Sequence, residues 1–159
     1  MHNFFSGFFQ HGYVTRDLDA ACAAFCRKFG PTDFLVTSPE PINGVPAPTR
    51  RIALAWIDEV MTEIIEPDPA QTTIYDHAIP DTDGPIRLHH LGILVDSYAS
   101  TMQRLAERGY AVPMAGSMPG AIDYIYADTR DDLGVFSEFI CLYDEGRKFF
   151  DAVPRTRTR

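Results

Sequence analysis

Cysteine is scarce in this chain of 159 residues: Cys22, Cys26 and Cys141 are the three present, an odd number with no CxxC spacing. That usage argues against a disulfide framework and fits a reducing cytoplasm, where the protein is expected. Cys22 and Cys26 share a helical face, but on an Ala-rich helix they read as small core residues rather than as a metal-binding pair. Positive charge is also in deficit. A formal net charge of −8 disfavours nucleic acid or an anionic membrane surface as the principal partner, because both are repelled at long range. No stretch approaches the roughly 20 apolar residues of a membrane span. The opening MHNFFSGFF lacks the positive n-region, long apolar run and small-residue cleavage site of a secretion signal.

What is present describes a folded chain. Apolar residues make up 45% and charged residues 23%, enough for one domain or for two half-size modules packed together. Gln10 to Thr15 reads as a strand, and Asp17 offers a cap for a helix over Leu18 to Phe29, which Gly30 and Pro31 end. A Pro-rich loop containing Pro39, Pro41, Pro46 and Pro48 follows. Two strand-forming runs, Arg51 to Ile57 and Val60 to Ile65, are joined by the tight Asp58-Glu59 turn. After a polar connection the order repeats. Leu88 to Val95 reads as a strand, and Ser97 caps a helix running to about Arg108. A short strand is expected at Ala111 to Met114, a turn region at Gly116 to Gly120, and a strand pair at Ala121 to Ala127 and Val135 to Leu142. Laying one half on the other pairs Gln10-x-Gly12 with His90-x-Gly92 at an offset of 80, and Glu63 with Glu138 at an offset of 75; the difference falls in loops. The domain plan is therefore a first module over 8–67, a linker over 68–86, a second module over 87–143, and a C-terminal helix and tail over 144–159.

The segments QHGYVTRDLDAACAAF and EVMTEIIEP in the first half, with RLHHLGILVDS and YADTRDDLGVFSEFICL in the second, together resemble the vicinal oxygen chelate superfamily. That family includes glyoxalase I, methylmalonyl-CoA epimerase, extradiol dioxygenases and bleomycin-resistance proteins. The resemblance implies an α+β fold of two tandem βαβββ modules, forming an eight-stranded, cup-shaped mixed sheet with helices outside. It also implies one ligand from the first strand of each module and one glutamate from the last, here Gln10, Glu63, His90 and Glu138. One imidazole, two carboxylates and an amide oxygen suit a divalent ion such as Zn, Ni, Co, Mn or Fe. Strand alternation allows only one glutamate of TEIIEP to face that site. His11 remains the alternative to Gln10, since a register slip of one residue would turn it inward. The same choice at His89-His90 goes to His90 by the Gly92 alignment. Against each assignment stands a plainer reading, a solvated Glu or a satisfied core His. Their joint occurrence is what points to metal.

By the same resemblance the protein is a metal-dependent isomerase, epimerase or lyase, lactoylglutathione lyase-like or methylmalonyl-CoA epimerase-like. It would abstract a proton next to a carbonyl through an enediolate or enolate, with Glu138 as base and Glu63 acting on the opposite face. A small-molecule substrate and a homodimer are expected. An anionic substrate would need Arg16, Arg50, Arg51 or Arg87 near the mouth, whereas Phe4, Phe5, Phe8, Phe9 and Tyr13 would suit an apolar one, although core packing is the plainer job for most of these aromatics. A non-haem iron ring-cleaving dioxygenase is the alternative, and it requires His11 at the metal. A metal-free binding protein of the bleomycin-resistance type is the third reading.

Overall fold

The computed structural model describes residues 3–30, 32–41 and 44–156. Pro31 and the last three residues of the expected tail lie outside them. In chain order the elements are strand β1 (Phe8–Val14), helix α1 (Leu18–Phe29), and strands β2 (Leu35–Thr37), β3 (Thr49–Ile57) and β4 (Val60–Pro67). A short 3₁₀ turn at Asp76–Ala78 leads to β5 (Arg87–Leu94), α2 (Tyr98–Glu107), β6 (Met114–Met118) and β7 (Ile122–Ala127). Then come α3 (Arg130–Leu133), β8 (Phe136–Leu142), α4 (Asp144–Ala152) and β9 (Arg155–Thr156). The βαβββ order occurs twice, and the fold is α+β. No helix among the described residues is long and apolar enough to cross a membrane.

The chain packs as two compact units, neither continuous in sequence. One takes the chain up to Gln10 together with His90–Ala152, and the other takes His11–His89 with Val153 onward. In the second of these, β2, β3 and β4 form an antiparallel run, with β9 parallel to β3 on its other stretch. Ala53 and Ile64 of that sheet bury against Leu18, Ala21 and Phe25 of α1. The helix begins at Leu18 because the Asp17 carboxylate accepts the Ala20 amide at 3.0 Å, satisfying one of the donors a helix start leaves orphaned. It stops at Gly30, whose φ of 115° few other residues adopt.

Glu66 lies on the same strand face as Ile64, two residues on, and meets that helix start. Its carboxylate accepts the Leu18 amide at 3.3 Å and Arg51 Nε at 2.9 Å, and Arg50 Nη1 lies 3.2 Å away. The negative charge sits where the helix dipole favours it. Arg51 is clamped from its other side by Asp19 at 3.0 Å.

In the other unit, β5 runs parallel to β8, while β8, β7 and β6 are antiparallel neighbours. In this unit the mixed character of the strand pairing comes from β5 with β8. Ile93, Ile125, Ala127 and Phe139 pack with Leu105 of α2, and Ser97 caps that helix by accepting the Ser100 amide at 3.2 Å. The two units repeat one plan down to single hydrogen bonds. Thr15 donates its amide to Ile65 O at 2.9 Å, and Val95 donates to Ile140 O at 2.9 Å. Thr15 and Val95 stand 80 positions apart, Ile65 and Ile140 stand 75 apart, and these are the offsets found in the sequence.

Two expectations need correction. The strand expected at Ala111 to Met114 lies instead at Met114–Met118, paired with β7 from Met114 opposite Tyr126 to Met118 opposite Ile122. The turn region expected at Gly116 to Gly120 is confined to its far end, where Gly120 has φ 75°. Gly116 is a strand residue because the Tyr124 ring across from it needs the bare backbone: a Cβ there would lie 2.4 Å from the phenol oxygen. The connection from Asp128 to Gly134 also contains a helical turn, α3.

Two measurements check these assignments. Glu66→Gln removes the charge that Arg51 and the α1 terminus share, and Arg50 is too exposed to add much. A loss of about 2 kcal/mol is expected, read as a lower urea midpoint with unchanged slope. Burial, then the neighbouring Cys26 and Asp19, push the Cys22 thiol up to about 11. With the other two cysteines changed to serine, iodoacetamide should therefore modify Cys22 more than about tenfold slower than free cysteine at pH 8, accelerating as pH rises through the shifted value.

Candidate metal centre

Alternation along β5, β7 and β8 divides their side chains between two faces. Ile93, Phe139, Ile125 and Ala127 turn toward α2. The residues between them turn the other way, and register lines them up: Gly92 lies opposite Glu138, Tyr126 lies opposite Glu138 from the other side, and His90 lies opposite Phe136. An imidazole and a carboxylate thus share a face with apolar neighbours. His90 is 0% exposed and Glu138 7%, and His90 Nε2 lies 3.2 Å from Glu138 Oε2. The Tyr126 ring stands edge-on to the imidazole, with centroids 5.2 Å apart.

Gln10 completes this cluster. Its side chain is buried and lies across Gly92, where a Cβ would come within 2.4 Å of Gln10 Oε1 and 2.7 Å of its Cβ. Glycine at 92 is therefore required by close approach, and the Gly alignment used in the sequence marks the position over which the first-strand side chain folds. An imidazole nitrogen, a carboxylate oxygen and an amide oxygen together suit a borderline-to-hard divalent ion. Two donors each bound at about 2.1 Å to one ion and at right angles would sit about 3 Å apart. The observed 3.2 Å between His90 and Glu138 fits that spacing.

Glu63 belongs to the other unit. In the β3–β4 register it stands opposite Leu54, and its neighbour Ile64 stands opposite Ala53 under α1. Glu63 consequently turns to the sheet face away from α1, where it is buried. Glu66 is held at the helix start, so Glu63 is the glutamate of TEIIEP on the face away from α1. His11, half-buried, has Tyr13 as a ring neighbour at 6.5 Å. His89 is buried as well, but its Nε2 lies 3.0 Å from Ile74 O and its ring packs against Tyr75 at 4.9 Å, a structural setting within its own unit.

The candidate substrate-binding arginines are mostly engaged. Arg16 donates to Pro80 O at 3.1 Å and 3.2 Å, while Arg50 and Arg51 pair with Glu66. Arg16 and Arg50 border a polar cleft of about 400 Å³ with Asp68 and Asp76. Arg87 begins β5 and is exposed. Among the aromatics, Phe4 packs edge-on against Phe139 at 5.0 Å, and Phe9 lies tilted against Phe150 at 5.7 Å. Tyr13 joins the core under α1. Phe5 and Phe8 are exposed.

Tyr124 and Tyr126 on the Glu138 face went unremarked in the sequence. The signal was available, since the alternation of IDYIYA puts both tyrosines on one side of a strand. Tyr124 is half-buried, and burial, followed by the charge of Glu138, pushes its phenol above the usual value.

Comparison with known proteins bears on this arrangement. The profile of the Glyoxalase/Bleomycin resistance protein/Dioxygenase superfamily matches residues 9–127. Among solved structures, methylmalonyl-CoA epimerase from Mycobacterium tuberculosis is similar with a TM-score of 0.64 at 17% identity, over 96% of this chain and 97% of that one. A hypothetical protein from Bacillus halodurans C-125 is similar at 0.59 and 17% identity, over 86% and 94%. A variant of Streptomyces coelicolor methylmalonyl-CoA epimerase in complex with 2-nitronate-propionyl-CoA is similar at 0.60 and 15% identity, over 87% and 98%. At such identities the likeness establishes the fold. No curated protein matches the chain.

The packing of Gln10 on Gly92 can be tested without any ligand. Gly92→Ala should destabilise the protein by about 1–3 kcal/mol, since the added methyl meets the Gln10 side chain inside a filled face. Thermal denaturation reads this; an unchanged midpoint would show that Gln10 is free to move away.

Proposed function

Because the chain belongs to the glyoxalase/bleomycin resistance protein/dioxygenase superfamily, we propose that it is a metal-dependent isomerase, epimerase or lyase that moves a proton on the carbon next to a carbonyl. The observation that carries this reading is the buried pair His90 and Glu138, 3.2 Å apart, with Gln10 against Gly92 on the same unit. Gln10, His90 and Glu138 are assigned as ligands, and Glu63 as the fourth on the sequence pattern and on its burial away from α1. When bound, a divalent ion supplies Lewis acidity that neutralises charge growing on a carbonyl oxygen.

The protein's own groups do the rest. Glu138 is the base: its carboxylate takes the proton from carbon and returns it, and its strength as a base depends on whether it is coordinated. Glu63 serves the opposite face of the substrate. The Tyr126 ring and Phe136 keep water away from the imidazole and carboxylate, which strengthens every charge interaction there. The dioxygenase alternative needs a second histidine among the ligands, and the side chain lying on Gly92 is Gln10 rather than His11. The solved epimerase in complex with methylmalonyl-CoA suggests the first substrate to try.

Protein purified without chelator should carry about one equivalent of a divalent metal by elemental analysis, and His90→Ala should lose it. Metal-loaded protein should exchange the α-proton of methylmalonyl-CoA or of a hemithioacetal with deuterated solvent. Glu138→Gln should slow that exchange by about 100-fold or more. A metal-free preparation that still binds small molecules would favour the binding-protein reading instead.

A further inference from the structure

We infer that the Tyr124 hydroxyl is a substrate-binding group of this site, donating a hydrogen bond to an oxygen of the bound molecule and so selecting substrates with an acceptor oxygen on that side. The inference rests on the metal reading above and adds to it a residue outside the ligand set.

Three observations within one unit carry it. First, β7 alternation and the β7–β8 register put Tyr124 on the face of Glu138: Tyr126 stands directly opposite Glu138, and Tyr124 stands opposite Ile140, one diagonal step along. From there the ring extends over β6 rather than back toward β8, still near enough for the charge of Glu138 to act on its phenol. Second, the ring is placed rather than loose. It lies across the bare backbone of Gly116 on β6, where a Cβ would stand 2.4 Å from the phenol oxygen and 2.5 Å from Cζ. It also stands edge-on to Tyr126 at 6.2 Å, and Tyr126 in turn stands edge-on to His90. A chain of rings thus connects the phenol to the imidazole. Third, the hydroxyl makes no hydrogen bond among the described residues, although the residue is half-buried. The other site-face tyrosine, Tyr126, is 2% exposed.

A tyrosine kept only for packing would not need its oxygen. Buried phenols ordinarily find a protein partner, and the half-buried Tyr110 of this unit donates to Asp132 at 2.7 Å, whereas the half-buried Tyr98 and Tyr124 donate to none of the described residues. At neutral pH a phenol is protonated and can donate. An anionic or carbonyl oxygen brought to the His90–Glu138 face is the acceptor it fits, and a hydrogen bond to a charged acceptor is among the stronger kinds.

The test uses the full chain loaded with Co²⁺ and titrated with acetohydroxamate, a small ligand with two neighbouring oxygens, followed by visible absorption. Tyr124→Phe should bind Co²⁺ in the wild-type ratio and melt at the wild-type temperature, yet bind acetohydroxamate about tenfold more weakly, as befits one lost hydrogen bond to a charged acceptor. Gly116→Ala keeps the hydroxyl but pushes it from its place, and should weaken acetohydroxamate in the same direction. Equal acetohydroxamate affinity in Tyr124→Phe and wild type overturns the inference, and so does a Tyr124→Phe variant that loses Co²⁺ itself. Loaded wild-type protein that ignores acetohydroxamate overturns it too, leaving the metal reading standing. Wild-type protein that takes up no Co²⁺ brings down the metal reading and this inference together.

Discussion

A carboxylate and an imidazole held 3.2 Å apart and shut away from water set the terms for everything around them. Transferring an ionised group out of water costs several kcal/mol even after the surroundings relax, unless a cation, a shared proton or good hydrogen bonds offset it. The sheet places Glu138 and His90 side by side, with Tyr126 and Phe136 as neighbours, so that two donor groups meet in apolar surroundings. The amide of Gln10 supplies oxygen but no charge. A divalent cation supplies charge and uses all three groups at once, which is why the donor set and the apolar surroundings make better sense together than separately.

That requirement shapes the local sequence. Gly92 has an unremarkable backbone, so conformational freedom does not explain it; the Gln10 side chain does, because it occupies the volume of the missing methyl. Gly116 is explained in the same way by Tyr124. Each glycine is the imprint of a side chain on the next strand, and each marks a residue on the face that carries His90 and Glu138. Alternation does the remaining work: the opposite face of these strands turns to α2 and is filled by Ile93, Ile125, Ala127 and Phe139.

These particulars explain which features were legible in the sequence. The α1 limits at Leu18 and Phe29 could be read because capping and glycine termination are local, as could the division of Glu63 and Glu66 between opposite strand faces, which needs only a period of two. The β6 strand was misplaced because Gly116 carries a turn signal whose cancellation depends on Tyr124, a residue eight positions away that pairs with it. Tyr124 itself drew no attention for the same reason: its significance is the placement of an oxygen, and periodicity reports only which face a side chain is on. The composition of the two units, with residues up to Gln10 grouped with those after His90, is likewise a matter of packing that no local signal carries.

The internal repeat separates structural from chemical acids. Positions 80 apart share the helix caps, Asp17 with Ser97, and positions 75 apart share the carbonyls that close the first strand, Ile65 with Ile140. At that same offset of 75, Glu66 corresponds to Cys141 and Glu63 to Glu138. The acid at the α1 terminus, held by Arg51 and the Leu18 amide, therefore has no counterpart in the second half, where a buried thiol takes its place and α2 forms nonetheless. A helix start can be stabilised by a cap alone, so that carboxylate is one solution among several. The carboxylate on the opposite face appears in both halves, in a setting where it is costly to bury and where α1 and α2 gain nothing from it. That carboxylate recurs on the face away from the helices, at Glu63 and Glu138, both buried.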